Sequence, residues 1–409
     1  MGLITGFNNG RDGVKVDIGM SLVEKSYLID RYPELADTFK QAGLWVWGKN
    51  NYGQIGDNTI VYKSSPVQTI AGGTNWKSVS SGNGPTIAAI KTDGTLWTWG
   101  NNNYGQIGNN TTGAHKSSPV QTISGGTNWK QVSMAEQAAA IKTDGTLWLW
   151  GRNFAGGLGD NTRTQAASPV QTIAGGTNWK QVSTSGYNIT AAIKTDGTFW
   201  SWGTNNYGQI GDNTILARSS PVQTISGGTN WKQVASGSGH VAALKTDGTL
   251  WLWGRNVYGQ LGDNTVAHKS SPVQTIAGGT NWKQVVADQL TSAIKTDGTL
   301  WGWGIGVYGG MGDNSATNKS SPVQTIAGGT NWKQVAAIGF GAMGAIKTDG
   351  TLWTWGNNGY GTLGDTTILN KSSPAQTIAS GTNWKVLGGH AAGAAAIRDD
   401  SADLFGDPV

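Results

Sequence analysis

The chain has 409 residues, with 64 Gly, 21 Trp, no Cys, only 13% charged residues and a formal net charge of +5. That composition excludes disulfides and thiolate metal sites. It argues against a disordered chain, because so many tryptophans cannot all stay hydrated, and no apolar run approaches the ~18 residues of a membrane-spanning helix. High Gly beside many Asn, Thr and Ser predicts numerous short strands joined by turns, hence an all-β fold.

Residues 1–43 form the first region. Met1–Gly6 lacks a charged start and a long apolar stretch, so no signal peptide is expected. Ser21-Leu22-Val23-Glu24 reads as a capping box, and Tyr27 and Leu28 continue an apolar stripe. Pro33 is placed to start a second helix, with Leu35 and Phe39 on one face and Gly43 as its stop. A partly helical extension is expected here, serving either as a lid on the repeats or as an adaptor to a larger assembly.

Residues 44–398 repeat one sentence. A Trp-x-Trp pair ends at Trp47, Trp99, Trp150, Trp202, Trp253, Trp303 and Trp355. A third Trp follows at Trp76, Trp129, Trp179, Trp231, Trp282, Trp332 and Trp384. Each repeat of ~50 residues reads as four strands, exemplified by Thr95–Gly100, Ser118–Ile123, Trp129–Ser133 and Ala139–Thr143. Asp144-Gly145 between the fourth strand and the next first strand predicts a hairpin with a type I′ turn. Residues two apart on a strand share a face, so Trp97 and Trp99 point one way and Leu96 and Thr98 the other. A sheet that is apolar on both sides must be sandwiched. Seven such sheets around an axis make a seven-bladed β-propeller with tryptophans between the blades. The first repeat lacks a fourth strand before Leu44–Gly48, and the last lacks a good first strand after Ala394–Asp400. Pairing these termini closes the ring and removes two open edges. Asp403–Gly406, in an acidic tail of residues 399–409, is a weaker echo of the same strand and a poorer candidate for that place.

Charge is divided unevenly along the chain. Residues 1–43 carry −1, residues 44–397 carry +9, and residues 398–409 carry −3. Because the +9 is set by repeated Lys and Asp positions, it reads as spread around the molecule. A dedicated nucleic-acid patch is not expected.

Little in the repeats points to catalysis. His115, His240, His268 and His390 stand apart from any nucleophile or HExxH pattern and read as loop residues. Asp57 and its equivalents in Gly-Asp-Asn-Thr read as Asx turns, and they lack the spaced ladder of a calcium loop. Asp93 and its equivalents belong to hairpin turns. Glu136 and Asp288 break the pattern, each alone. No catalytic residue, cofactor or metal is assigned, and the chain is read as a non-enzyme.

The segments Trp99–Gly108 (WGNNNYGQIG) and Trp253–Asp263 (WGRNVYGQLGD) resemble the repeats of the regulator of chromosome condensation family. The resemblance runs from residue 44 to about 398. It implies a seven-bladed propeller that binds a partner; the family includes a nucleotide exchange factor, a plant photoreceptor and a β-lactamase inhibitor. The family's Gly-x-x-His appears cleanly only at Gly237–His240. The near-verbatim copies of SSPVQTIAGGTNWKQV are similar to repeats in structural proteins of tailed phages, especially cyanophages. That similarity implies a virion component in the tail, baseplate or a host-contacting fibre, made in the host cytoplasm. Its partners would be other virion proteins or a host surface receptor, with no membrane insertion. A carbohydrate-binding propeller lectin is the alternative, ahead of a chromatin- or GTPase-binding exchange factor.

Alternating strand direction puts the first–second and third–fourth loops on one face and the two short turns on the other. The turns hardly change between copies, whereas the loops change in every one. The variable face is therefore the expected partner-binding face, with Tyr62, Glu136, Tyr187, His240, Leu290 and Phe340 as candidate contacts.

Overall fold

A computed structural model describes residues 42–70, 75–82, 84–379, 381–390 and 392–399. The helices expected between residues 21 and 41, and the echo at Asp403–Gly406, lie outside the described residues. Gly43 lies within the strand Ala42–Gly48, paired with Arg398.

The described residues form seven four-stranded antiparallel sheets, the blades of a β-propeller. One blade runs outward from the axis as Trp129–Met134 (inner), Gln137–Lys142 (second), Leu147–Gly151 (third) and Ala166–Gln171 (outer). Each blade thus begins at the third strand of the repeat as the sequence spells it. This offset leaves the chain's two ends to share a blade. Ala42–Gly48 and Lys63–Gln68 supply its third and outer strands, and Trp384–His390 and Gly393–Asp399 its inner and second strands. Leu44 pairs with Ile397 and Trp47 with Ala394, so the N-terminal strand closes the ring.

The three tryptophans of a repeat do different work. The second of the pair is fully buried and packs with the third on the neighbouring blade's Leu and Ala side. Trp99 and Trp76, for example, meet Leu44, Val46, Ala395 and Ile397 of the blade before. A buried indole has to place its N–H, and Trp99 donates to the Gln54 carbonyl at 2.9 Å, across the blade boundary. The chain passes so close there that a Cβ on Gly56, which has φ +77°, would lie 2.8 Å from that indole nitrogen. The first Trp of each pair is only half-buried, which the inter-blade reading did not anticipate. Trp97 donates to the Thr95 hydroxyl at 2.9 Å, and Lys91 Nζ sits 4.7 Å from its ring and 5.0 Å from that of Trp76. The same clamp recurs around the ring, with Arg398 over Trp45 and Trp384 in the closing blade. Such a contact contributes ~0.5–1 kcal/mol where it is solvent-accessible.

The Asp-Gly turn differs from the expected type I′. Only Gly94 takes a positive φ, and its N–H bonds the Lys91 carbonyl, while the Lys91 N–H bonds the Thr95 carbonyl. This is a type I turn closed by a left-handed Gly. Asp93 selects it by accepting the N–H and hydroxyl of Thr95 at 2.9 and 2.7 Å.

A glutamine belt ties the inner strands together around the channel. The Gln131 amide donates to the Val182 carbonyl at 3.1 Å and accepts the Val182 N–H at 3.2 Å. Gln181, Gln233, Gln284 and Gln334 reach Val234, Val285, Val335 and Leu387 in the same way. Ser78 and Val386 occupy the equivalent positions in the remaining two blades, so the belt opens next to and within the closing blade.

Candidate interaction face

The hydrogen bonds sort the connections onto two faces as the alternation requires. On one face, Asn188 from an inner–second loop donates to the Arg152 carbonyl at 2.8 Å and accepts the Ala155 N–H at 3.1 Å, from the preceding blade's third–outer loop. On the other, Trp179 N–H bonds Gly145 O at 3.0 Å and Thr195 N–H bonds Asn178 O at 2.8 Å, joining the two short turns.

The third–outer loops are built from within. Asn50 donates to the carbonyls of Thr59 and Val61 and accepts the Ile55 N–H at 2.8 Å, drawing the loop around one amide. Asp57 forms the expected Asx turn, taking the Thr59 N–H and hydroxyl at 3.0 and 2.6 Å. Burial alone would raise its pKa, but the Thr59 contacts and Lys63, 3.4 Å away, hold the carboxyl below its usual range. Asn58, in the left-handed region, then bonds Ser117 O of the next blade at 2.9 Å. Each loop so overlaps the next like a shingle. His115 and His268 are loop braces, accepting the Asn102 and Asn256 N–H groups at 3.1 and 3.0 Å.

Four of the six candidate contacts stand on this face. Tyr62 is 46% exposed and meets Tyr360 edge-on at 5.7 Å. Phe340, 43% exposed, meets Tyr308 at 6.2 Å. Lys49, Tyr308, Phe340, Asn357 and Tyr360 line one cleft, and Lys49 Nζ lies 4.8 Å from the Tyr360 ring. Tyr62 and Phe340, far apart in the chain, therefore belong to one aromatic sector. Glu136 pairs with Arg152, whose guanidinium stacks over Phe154 at 4.2 Å and Tyr104 at 5.1 Å. Exposed Tyr187 adjoins Asn188, the residue that bonds this same loop.

His240 and Leu290 are not contacts. Both are the first residues of second strands, His240–Lys245 and Leu290–Lys295, and both point between blades, 0% and 1% exposed. A position that differs between repeats need not face solvent. His240 Nε2 lies 2.9 Å from the Thr291 hydroxyl, which itself donates to Gln260 O at 2.9 Å, so His240 is the donor in that pair. Burial, and secondarily the charge of Arg255, pushes the His240 pKa down to about 3. Gly237 sits against the ring, where a Cβ would come within 2.7 Å of Cε1. This explains the lone Gly-x-x-His by packing. Beside it, Asp288 accepts the Ser238 hydroxyl at 3.0 Å, and burial pushes its pKa up to about 6.

Sequence reasoning missed Tyr308, Tyr360, Lys49, Arg152 and Phe154. The tyrosines had a signal: Tyr52, Tyr104, Tyr207, Tyr258, Tyr308 and Tyr360 recur at one repeat position, and none is fully buried. Because they recur in six of the seven repeats, with Ala155 in the other, they read as structural. They form a tyrosine platform from which the variable residues rise.

Residues 43–397 match the RCC1-like domain family. The chain belongs to that family. Among curated relatives, the ultraviolet-B receptor UVR8 of Arabidopsis thaliana is 28% identical over 255 residues, covering 59% of this chain and 57% of that protein. The mitochondrial RCC1 domain-containing protein RUG3 of the same plant is 25% identical over 261 residues, covering 56% and 54%. The chain thus spans just over half the length of these relatives. Among solved structures, human WBSCR16 superposes with TM-score 0.75 at 18% identity, covering 88% of this chain and 99% of that one. Prp20p of Saccharomyces cerevisiae gives 0.77 at 17% identity, covering 91% and 96%. These two establish the RCC1-like fold. The yeast structure was described with its binding to Gsp1p and histones, and another holds the yeast protein bound by Kap60.

Proposed function

We propose that this RCC1-like ring is a non-enzymatic binding protein whose loop face docks a protein or surface receptor. The observation that carries the reading is the aromatic sector of Tyr62, Tyr308, Phe340 and Tyr360 with Lys49, its Tyr62, Phe340 and Tyr360 exposed on the face whose loops differ in every blade. Rigid tyrosines and phenylalanines on braced loops supply large contact area at little entropic cost, as hot spots do. The binding of Gsp1p and histones by the yeast protein of the same fold supports a docking role.

For the setting, we propose a virion component of a tailed phage, in the tail, baseplate or a host-contacting fibre, with other virion proteins or a host receptor as partners. The near-verbatim repeats support this reading. Mass spectrometry of purified particles tests the setting: the chain should copurify with tail proteins at fixed stoichiometry, and its absence from particles would end the phage reading. Binding of the isolated ring to simple sugars on a glycan array would favour a free lectin instead. The docking face has its own test. Tyr62→Ala, Phe340→Ala and Tyr360→Ala together should weaken partner capture at least tenfold with melting preserved.

A further inference from the structure

Seven lysines occupy one repeated position near the start of the inner strands, around the central channel. Lys77, Lys130, Lys180, Lys232, Lys283, Lys333 and Lys385 each come directly after the tryptophan of an inner strand, and each is exposed. In every blade this lysine is the extra residue of a β-bulge. Trp129 pairs with Lys142 and Gln131 with Ile141, leaving Lys130 without a cross-strand partner, and the same shift recurs in the other six. A bulge re-aims a side chain. Here it turns seven lysines out of the ladder at the end of the channel where the constant turns lie. Lys130, Lys180 and Lys232, with Gln131, Gln181 and Gln233, line one continuous depression there.

Along the linear chain, repeated charges read as spread around the molecule. Closure reverses that conclusion, because copies of one position lie at one radius, and the smallest radius brings them together. Nor are they cancelled locally. Among the described residues none of the seven makes an ion pair, whereas Lys63, Arg218, Lys269, Lys319 and Lys371 on the loop face each pair with an Asp. In the six blades that have a second–third hairpin turn, that turn carries one Lys and one Asp, such as Lys91 and Asp93, and so balances itself. Protection of a free strand edge by lysine does not account for the ring either, since the inner edges face the central channel and the glutamine belt bridges five of the seven junctions there.

We propose that this mouth is a binding site for a compact polyanion bearing several phosphate or sulfate groups, seated on the axis over the lysine ring. Three physical points select that class. Lysine is a point charge without the planar fork of arginine, so the ring reads charge density rather than the shape of one oxyanion. A phosphate monoester carries about −1.5 to −2, so a handful of them matches seven lysines within one mouth, whereas an acidic peptide spreads one charge over each ~3.5 Å of chain. Single-stranded nucleic acid needs aromatic stacking surfaces, and the tryptophans on this side are buried or clamped by Lys91 and its equivalents. The site lies on the face opposite the proposed docking loops and does not depend on that reading.

The test is isothermal titration of the full chain with myo-inositol hexakisphosphate at 0.15 M salt. We expect one ligand per ring, with affinity falling steeply as salt is raised. A variant carrying Lys130→Gln, Lys180→Gln, Lys232→Gln, Lys283→Gln and Lys333→Gln should bind at least ~100-fold more weakly, as loss of five convergent charges requires. The five corresponding Lys→Arg changes should retain binding, which separates lost charge from a damaged fold. Unchanged affinity in the Lys→Gln variant would overturn the proposal, as would no binding to the wild-type ring. Orthophosphate binding as tightly as the hexakisphosphate would reduce the mouth to an adventitious ion site. Tighter binding of heptaaspartate or of a thymidine 20-mer would replace the proposed class with an acidic peptide or a nucleic acid. Vesicles containing phosphatidylinositol bisphosphate separate the two sources of the same chemistry: capture of vesicles together with soluble ligand assigns a lipid headgroup, and capture of soluble ligand alone a free polyphosphate.

Discussion

The turn face and the loop face are made by the same strands, yet they spend their polar atoms differently. On the turn face each connection closes within its own blade or onto the adjacent turn, as Asp93 does with Thr95 and Trp179 with Gly145. A Lys clamped by two indoles, or Arg398 in the closing blade, completes each unit. On the loop face the constant part of each connection is fixed by Asn50, Asp57 and their equivalents, and the remainder projects outward with Ile60, Val61 and Tyr62, or Ile368 and Leu369, exposed. Within these connections, sameness between repeats therefore marks positions where backbone geometry leaves no choice. Difference marks positions released from that geometry, whether they face solvent like Phe340 or a neighbouring blade like His240.

The harshest way to break the comparison is to open the ring on which both faces depend. Deleting residues 391–409 removes Gly393–Asp399, the partner of Ala42–Gly48, and exposes two edges. Aggregation, or a fall in melting temperature of more than ~15 °C, is expected. A soluble monomer with unchanged melting would show that closure does not hold the faces together.

The next sharpest test separates buried variation from exposed variation by pH. The pKa of Asp288 is raised to about 6 from the ordinary 3.8, so its ionisation opposes folding. The penalty is absent below pH ~4, grows as pH rises through 6 and then stays constant. Asp288→Asn should leave stability at pH 4 nearly unchanged and raise it at pH 7 by up to about 3 kcal/mol, at ~1.4 kcal/mol per pKa unit. His240 acts with the opposite sign. Its pKa of about 3 means that stability is lost as pH falls below 6.5, so the difference between wild type and the Asn variant across pH 4–7 isolates Asp288. Urea titrations at the two pH values decide the matter, and equal shifts at both would contradict it.

Exposed variation should be far quieter. Tyr62→Ala, Tyr187→Ala and Phe340→Ala should each change unfolding free energy by less than ~1 kcal/mol, as surface substitutions do. Leu290→Ala, at an equally variable but buried position, should cost ~2–5 kcal/mol. Similar costs in denaturant melts would erase the distinction between the two kinds of variable residue.

The smallest expected effect extends the glutamine belt. Ser78→Gln places an amide where it can span to Val132, as Gln131 spans to Val182. A gain of ~0.5–1.5 kcal/mol is expected, the net worth of an added hydrogen bond. A loss would mean that the belt's opening is required by the packing of the closing blade.

Much of this was legible in the sequence because it repeats. The spacing of Trp47, Trp99 and their successors gave the blade count, and the missing strands at Leu44 and Ala394 gave the closure. What stayed hidden depends on radius and depth, which a linear chain does not display. Trp97 and Trp99 look alike, yet one is half-buried over a lysine and the other is sealed between blades. The Asp93 carboxylate, more than the Asp-Gly dipeptide itself, sets the turn type. Lys130 and Lys142 look equally peripheral, but one reaches the channel mouth and the other rests on indole.

The shared closing blade also imposes a timetable. Ala42–Gly48 leaves the ribosome long before its partner Gly393–Asp399, roughly 350 residues later, or about 20–70 s at ordinary rates of synthesis. Through that interval six blades can stack on one another while the first two strands wait with an open edge. The nascent ring is thus at greatest risk of pairing with a stranger just before Gly393–Asp399 emerges, and a chain truncated ahead of that strand would be born adhesive.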